Sequence, residues 1–344
     1  MLEPSNINRY AKKDPEKILF ENLYNKFGKR FLNYRKRYER NIKKLDLNEN
    51  TDYPNTVILE LINRCDLECA MCFQGYRNDA KKHTLDDKIL DKIFQDFKEN
   101  NLNSLMFSAS EPLLYKRIEK VFDRAKRANI MDIFLFTNGT LLNEKNINLI
   151  LKSPITRLFV SIDAATQETY DKIRVPVSKK KLADNKRLLK LEINIKRFIE
   201  LREKNKKQLP LVRTSFVAIN DNKSEISEFI SKWKSIVDTV EIQKKVIPFR
   251  TFEEAKENSY KNENKGRQYS CNEPWGQITI YSDGAVSPCC ATFGRNLPIG
   301  NIKKNSLKEI WNGNKMKEIR NNFHNNTPHS VCKTCIDNTQ DYIS

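Results

Sequence analysis

The chain has 344 residues, 39% apolar and 31% charged, with 62 Lys and Arg against 44 Asp and Glu for a net charge of +18. That length suits about two domains with a sizeable core, and the composition excludes a disordered or fibrous polymer. No apolar run reaches the roughly 18 residues of a membrane span, and the start of the chain has no basic stretch leading into an apolar one. The expectation is therefore no membrane partner, no secretory signal and a cytoplasmic location. The positive charge has two readings, a lysine-rich solvated surface or a face for an acidic or nucleic-acid partner. No RNA-binding aromatic motif interrupts the basic runs, so the surface reading is preferred and nucleic acid is not expected as a partner.

Residues 14–44 are expected to be helical, because Ile18, Leu19, Leu23, Phe27, Phe31, Tyr34 and Tyr38 recur mostly at spacings of three or four with Lys and Arg between them. The segment reads as an extension packed on the main domain, with a docking arm as the alternative. From residue 56, short β-branched and apolar runs alternate with amphipathic stretches. Strands are expected at 56–62, 104–108, 131–137, 157–162, 212–218 and 239–243. Helices are expected at 86–98 and near 115–128, 143–151, 183–206 and 222–236. Six such alternations imply parallel strands with right-handed crossovers, in a barrel or a doubly wound sheet. In such folds the loops after the C-terminal strand ends carry the chemistry. Residues 250–270 are polar and lysine-rich and read as a linker. Trp275 to Ser287 reads as two strands around Ser282-Asp283-Gly284, a hairpin signal. Ser306 with Glu309 makes a capping box for a short helix, and the end of the chain reads as a loop. The expected organisation is a basic helical extension over 1–52, a barrel over 53–250 and a small domain over 265–344.

Eight cysteines in a reducing compartment argue against structural disulfides. They fall in two groups, Cys65, Cys69 and Cys72, then Cys271, Cys289, Cys290, Cys332 and Cys335, and such clustering reads as metal sites. Cys65-x3-Cys69-x2-Cys72 follows the first barrel strand. Three thiolates can hold three irons of a cubane cluster, leaving one iron open to a ligand. The alternatives are a zinc site or inert core cysteines, although zinc needs a fourth ligand and the only close histidine is His83.

On this motif, residues 56 to about 245 resemble the radical S-adenosylmethionine (SAM) superfamily. The family places an aromatic residue before the third cysteine, where this chain has Met71. Its Gly-Gly-Glu-Pro motif after the second strand stands here as Ala109-Ser110-Glu111-Pro112. Thr137-Asn138-Gly139 closes the third strand, and Ser161-Ile162-Asp163 the fourth, followed by Tyr170 to Arg174. The resemblance implies a partial (β/α)6 TIM-like barrel of the α/β class. It also implies a 4Fe–4S cluster on Cys65, Cys69 and Cys72, and SAM contacts from Met71, Ser110, Glu111, Asn138, Ser161, Asp163 and Arg174. Glu111 would bind the methionyl amino group, and Ser161 and Arg174 the ribose and carboxylate; an Arg fork suits a carboxylate. For Arg174 an ion pair, and for Asp163 a loop cap, remain as structural alternatives.

Cys271-x12-Gly284-x4-Cys289, with Cys332-x2-Cys335, supplies four thiolates, suited to zinc or to a fully ligated iron–sulfur cluster. The spacing resembles the SPASM and Twitch auxiliary-cluster domains. No further cysteine follows Cys335, so the resemblance is to the shorter single-cluster form, as in an aminoglycoside-pathway dehydrogenase of the superfamily. That implies a second, auxiliary 4Fe–4S cluster. Cys290 is left over, either packed beside a ligand or a hydrogen-atom donor to a substrate radical. The resemblance implies cleavage of SAM to a 5′-deoxyadenosyl radical. That radical would abstract hydrogen from a small polar substrate such as a cyclitol, amino sugar or nucleotide sugar, with the auxiliary cluster accepting an electron. A low-potential donor such as flavodoxin or ferredoxin would supply the first electron. The alternatives are peptide or protein modification, a Cys290-dependent epimerase, and a non-catalytic iron–sulfur or nucleic-acid-binding protein.

Overall fold

The six barrel strands expected from the apolar runs all form, and they line up side by side. In the computed structural model, which describes residues 7–11, 13–42, 52–72, 82–178, 184–245, 252–261, 268–291 and 293–340, they are β2 (Thr56–Leu59), β4 (Ser104–Phe107), β5 (Asp132–Thr137), β6 (Arg157–Ser161), β8 (Leu211–Ala218) and β9 (Thr239–Lys244). Neighbours among them pair parallel throughout, in the order β2-β4-β5-β6-β8-β9. Alternation with a period of two divides their side chains. Leu59, Phe107, Leu135, Val160 and Val240 face outward and join the core made with helix residues such as Ile93, Phe97, Phe122, Phe198 and Trp233. Phe134, Phe136 and Phe159 point to the other face, where they meet edge to face at 5.6 and 4.9 Å.

The helices start where short polar side chains satisfy their free N–H groups. Asp86, Asn143 and Thr166 cap the helices Asp87–Glu99, Glu144–Lys152 and Gln167–Ile173. The expected N-terminal helix is two, Pro15–Phe27 and Lys29–Ile42, divided at Gly28, whose φ of +53° favours glycine. Leu19, Leu23, Phe31 and Tyr34 pack on Met131 and Leu211, at the N-terminal ends of β5 and β8. The helix pair thus covers the end of the barrel opposite the cysteines. β1 (Ile7–Tyr10), which the sequence reading missed, pairs antiparallel with β9 at the sheet edge.

The C-terminal segment continues the same sheet. β10 (Gln277–Ile280) pairs parallel with β2, and β11 (Ala285–Ser287) and β12 (Gly300–Asn301) follow antiparallel, giving a sheet of ten strands among the described residues. The expected hairpin is present, and Gly284 supplies its turn with a φ of +92°; a Cβ there would sit 2.8 Å from Asn301 Oδ1. The expected capping box of Ser306 and Glu309 is also formed.

Two expectations fail here. Within the expected linker, Phe252–Lys261 is a helix; 250–251 and 262–267 lie outside the described residues. The chain end is not a loop, because Ser330–Gln340 is helical. The two helices explain each other. Ala255 is fully buried in a cluster with Phe293 and Val331, Asn258 donates to Asn338 at 2.9 Å, and Asn338 donates to the Ala255 carbonyl at 2.9 Å. Each segment is too polar to be read as a buried helix alone. No helix among the described residues is long and apolar enough to cross a membrane.

Candidate active site and second cysteine cluster

The first three cysteines lie beyond the C-terminal end of β2, in a loop held on two sides. On one side β3 (Leu67–Cys69) pairs antiparallel with β7 (Arg174–Pro176), which sets Arg174 opposite Cys69. The Ala70 N–H donates to the Ile173 carbonyl at 3.0 Å, and the Val177 N–H to the Asp66 carbonyl at 3.0 Å. On the other side the loop after β5 reaches across: Asn138 Nδ2 donates to Asp66 Oδ1 at 2.8 Å and to Cys65 Sγ at 3.4 Å. Gly139 makes this approach possible. Its φ is +76°, and a Cβ there would lie 2.4 Å from Leu191 Cδ1.

Burial pushes the Cys65 thiol up to about 12, and the charges of Glu111, Asp66 and Cys69 push the same way. The Cys69 thiol is also raised by burial, with the Arg174 guanidinium opposing and the Cys72 charge adding. Such thiols become thiolates only beside a strong cationic centre, as metal ligands do.

The residues expected to contact SAM divide by what already occupies them. Glu111 is 1% exposed and accepts the Leu113 N–H at 3.1 Å, the Asn138 N–H at 2.7 Å, and the Thr137 hydroxyl, which lies 2.9 and 3.0 Å from its two oxygens. These donors use its main acceptor directions, so it clamps the β4 and β5 loops together. Burial raises it to about 7 despite these hydrogen bonds. The Ser110 hydroxyl bonds the Ile62 carbonyl. Ala109, in place of a family glycine, holds the strained φ of +75°. Asp163 and Arg174 are paired with each other, both buried. Asp163 also accepts the Val217 N–H at 2.7 Å. Arg174 gives its other terminal nitrogen to Cys69 Sγ at 3.4 Å, and its Nε is buried with no hydrogen-bond partner. Met71 and Ser161 are half-buried. The sequence reading missed Asp66 and Thr140, which lock Asn138. Nothing in a lone acid after a cysteine signals that role.

In the second group, Cys271 precedes the short helix Glu273–Gly276, Cys289 follows β11, and Cys332 and Cys335 share a face of the helix Ser330–Gln340 at a spacing of three. The four are near neighbours. The Cys271 thiol is raised by burial, then by Glu273, Cys335 and Cys332; that of Cys289 by burial, then by Cys290, Cys335 and Cys271. The chain also approaches closely at Gly294, where a Cβ would meet the Cys289 carbonyl oxygen at 2.8 Å and Sγ at 3.2 Å. Cys290 differs. It is the one exposed cysteine among the described residues, and its Sγ accepts from Gln277 Nε2 at 3.3 Å. Among the described residues no three His, Cys, Asp or Glu side chains converge as tightly as one metal ion requires. A cubane, whose thiolates sit on separate irons, asks less convergence of them, and thiols are the donors it takes.

Residues 59–230, half of the chain, match the radical SAM superfamily, and residues 271–336 match SPASM, an iron–sulfur cluster-binding domain. A probable GTP 3′,8-cyclase of Methanococcus maripaludis (strain C5) is 31% identical over 117 residues, 34% of this chain and 39% of that protein. The GTP 3′,8-cyclase of Clostridium acetobutylicum is 29% identical over 128 residues, 36% of this chain and 38% of that protein. The chain thus matches less than two fifths of the length of these curated relatives. Among solved structures it resembles BtrN in complex with AdoMet and 2-DOIA, with a TM-score of 0.51 at 15% identity, covering 83% of this chain and 93% of that one. It also resembles Streptococcus suis SuiB bound to precursor peptide SuiA, at 0.52 and 16%, covering 80% and 68%. A third is anSMEcpe with bound AdoMet, at 0.56 and 18%, covering 77% and 82%. At these identities the structures establish a shared fold, a mostly parallel partial barrel with a small C-terminal domain. The chain therefore belongs to the radical SAM superfamily, as an enzyme that uses a 4Fe–4S cluster with S-adenosylmethionine and carries a C-terminal SPASM iron–sulfur domain.

Proposed function

We propose that Cys65, Cys69 and Cys72 hold the SAM-binding cluster, that Cys271, Cys289, Cys332 and Cys335 hold one auxiliary 4Fe–4S cluster, and that the enzyme oxidises a small polar substrate such as a cyclitol, amino sugar or nucleotide sugar. The observation that carries the reading is the gathering of three cysteines in the loop beyond the C-terminal end of β2, with Asn138 and Arg174 hydrogen-bonded to the sulfurs of Cys65 and Cys69. When bound, the first cluster and SAM supply a 5′-deoxyadenosyl radical that takes hydrogen from substrate. The protein's part is to bind and orient. Arg174 has one buried N–H left over, suited to the methionyl carboxylate, while Met71, Ser161 and the backbone around Ser110 border the same loops. Overall the substrate would give one hydrogen atom to the radical, one electron to the auxiliary cluster and one proton to solvent, and a low-potential donor such as flavodoxin or ferredoxin would supply the electron that starts each turnover.

The small-substrate reading is supported by the single set of four auxiliary cysteines. The resemblance to BtrN, whose complex holds 2-DOIA, over 93% of that chain also supports it. Peptide modification is the second reading, favoured by the TM-score of 0.56 to anSMEcpe. Anaerobic reconstitution should give two 4Fe–4S clusters per chain. Replacing Cys65, Cys69 and Cys72 together by Ala should leave about half the iron and abolish reductive SAM cleavage. Continued cleavage in that variant, or stoichiometric zinc in anaerobically purified protein, would defeat the ligand assignment. Release of 5′-deoxyadenosine above the substrate-free rate with pooled peptides, and not with pooled cyclitols and amino sugars, would favour the second reading.

A further inference from the structure

We infer that Asn138 and Arg174 are positioning residues for the sulfur ligands of the first cluster, donating N–H groups to Cys65 Sγ and Cys69 Sγ and so raising its reduction potential. The inference rests on the ligand assignment proposed above.

The geometry of Asn138 leaves its amide one orientation. Its Oδ1 accepts the Thr140 backbone N–H at 2.9 Å, and a backbone N–H can only donate, so Nδ2 must face Cys65 and Asp66. The Thr140 hydroxyl lies 2.7 Å from both Asn138 Oδ1 and Asp66 Oδ2, closing the ring of bonds. The Asn138 backbone is itself pinned by Glu111 at 2.7 Å. Arg174 is placed by a different device, the β3–β7 register, and Asp163 holds its other terminal nitrogen. Two independent elements thus bring one donor each to two of the three sulfurs. Both side chains are buried, Asn138 at 6% exposure and Arg174 at 8%, where such bonds are weakly screened.

The sign of the effect follows from charge. One-electron reduction makes the sulfurs more negative, so an N–H donor stabilises the reduced state more than the oxidised one. Because Asp163 offsets the charge of Arg174, the two donors act mainly through their hydrogen bonds.

The test uses anaerobically reconstituted full-length protein, dithionite as reductant and EPR-monitored redox titration. The first cluster is identified by the change in its signal on adding SAM. Asn138→Leu keeps the shape and removes the donor. It should keep full iron and lower the reduced-to-oxidised ratio at a fixed potential about tenfold, equivalent to about 59 mV for one electron. Thr140→Val, which frees the amide to turn, should shift the potential less and in the same direction. In deuterated buffer, the exchangeable deuteron coupled to the reduced cluster should weaken in Asn138→Leu. An unchanged potential and coupling in a fully loaded Asn138→Leu would overturn the inference while leaving the ligand assignment intact. If that variant loads poorly, an unchanged potential in Thr140→Val overturns it instead. A wild-type chain that holds no SAM-responsive cluster would sink the ligand assignment itself, and this inference with it.

Discussion

Gly139→Ala tests whether the β5 loop needs a glycine where it passes closely over the helix Arg187–Lys204. The new Cβ would lie 2.4 Å from Leu191 Cδ1 and 2.9 Å from Val160 Cγ1, at a φ of +76°. The left-handed backbone costs an L-residue roughly 1–2 kcal/mol. Forcing a methyl into packed surroundings costs roughly 1–3 kcal/mol, and the stiffer unfolded chain returns about 0.4–1 kcal/mol. The balance is a loss of about 2–3 kcal/mol, read as a lower midpoint in anaerobic guanidinium unfolding followed by circular dichroism. Leu191 is buried, so Leu191→Ala alone should cost about 2–5 kcal/mol. It also removes the atom that the new methyl strikes first. The double variant should therefore be more stable than the sum of the singles by about 1–2 kcal/mol, with the backbone strain and the Val160 contact left over. Additivity to within about 0.5 kcal/mol, or a wild-type midpoint for Gly139→Ala, would refute the steric account.

Asp163→Asn should keep the acceptor for the Val217 N–H and tolerate the φ of +63°, so it removes little besides charge. Arg174 is then left buried and unpaired, at a cost of about 3–5 kcal/mol by the same unfolding assay; a cost under about 1 kcal/mol would show that the pair is solvated. Cys290→Ala is expected to keep both clusters and most turnover, and the parent enzyme should put no solvent deuterium into product. Lost turnover with intact clusters, together with deuterium uptake by the parent, would make Cys290 a hydrogen donor and the enzyme an epimerase.

Much of the molecule was legible in one dimension because its signals are local. A short β-branched and apolar run between amphipathic stretches marks a buried strand wherever the strand ends up, and each of the six barrel strands was found this way. The Cys-x3-Cys-x2-Cys spacing marks a shared ligand set, because residues so close along the chain can reach one cluster. Gly284 announced its turn and Ser306 its helix, since each acts on its own backbone. What the sequence could not disclose is which surfaces meet. The pairing of two three-residue strands sets Arg174 against Cys69, 105 positions apart, and neither strand is long enough to show a period. The fold also pairs two of the residues expected to contact SAM, Arg174 and Asp163, with each other. The helices Phe252–Lys261 and Ser330–Gln340 read as linker and loop because their polar residues look solvated until Asn258 and Asn338 find each other. β1 pairs with β9 by covering an open sheet edge, a vacancy that exists only once the barrel has formed. The sequence alone thus determined the strands, the turns and the cysteine sets, while the tertiary structure decided their partners, because a buried polar group must find its hydrogen bond wherever the folded chain can supply one.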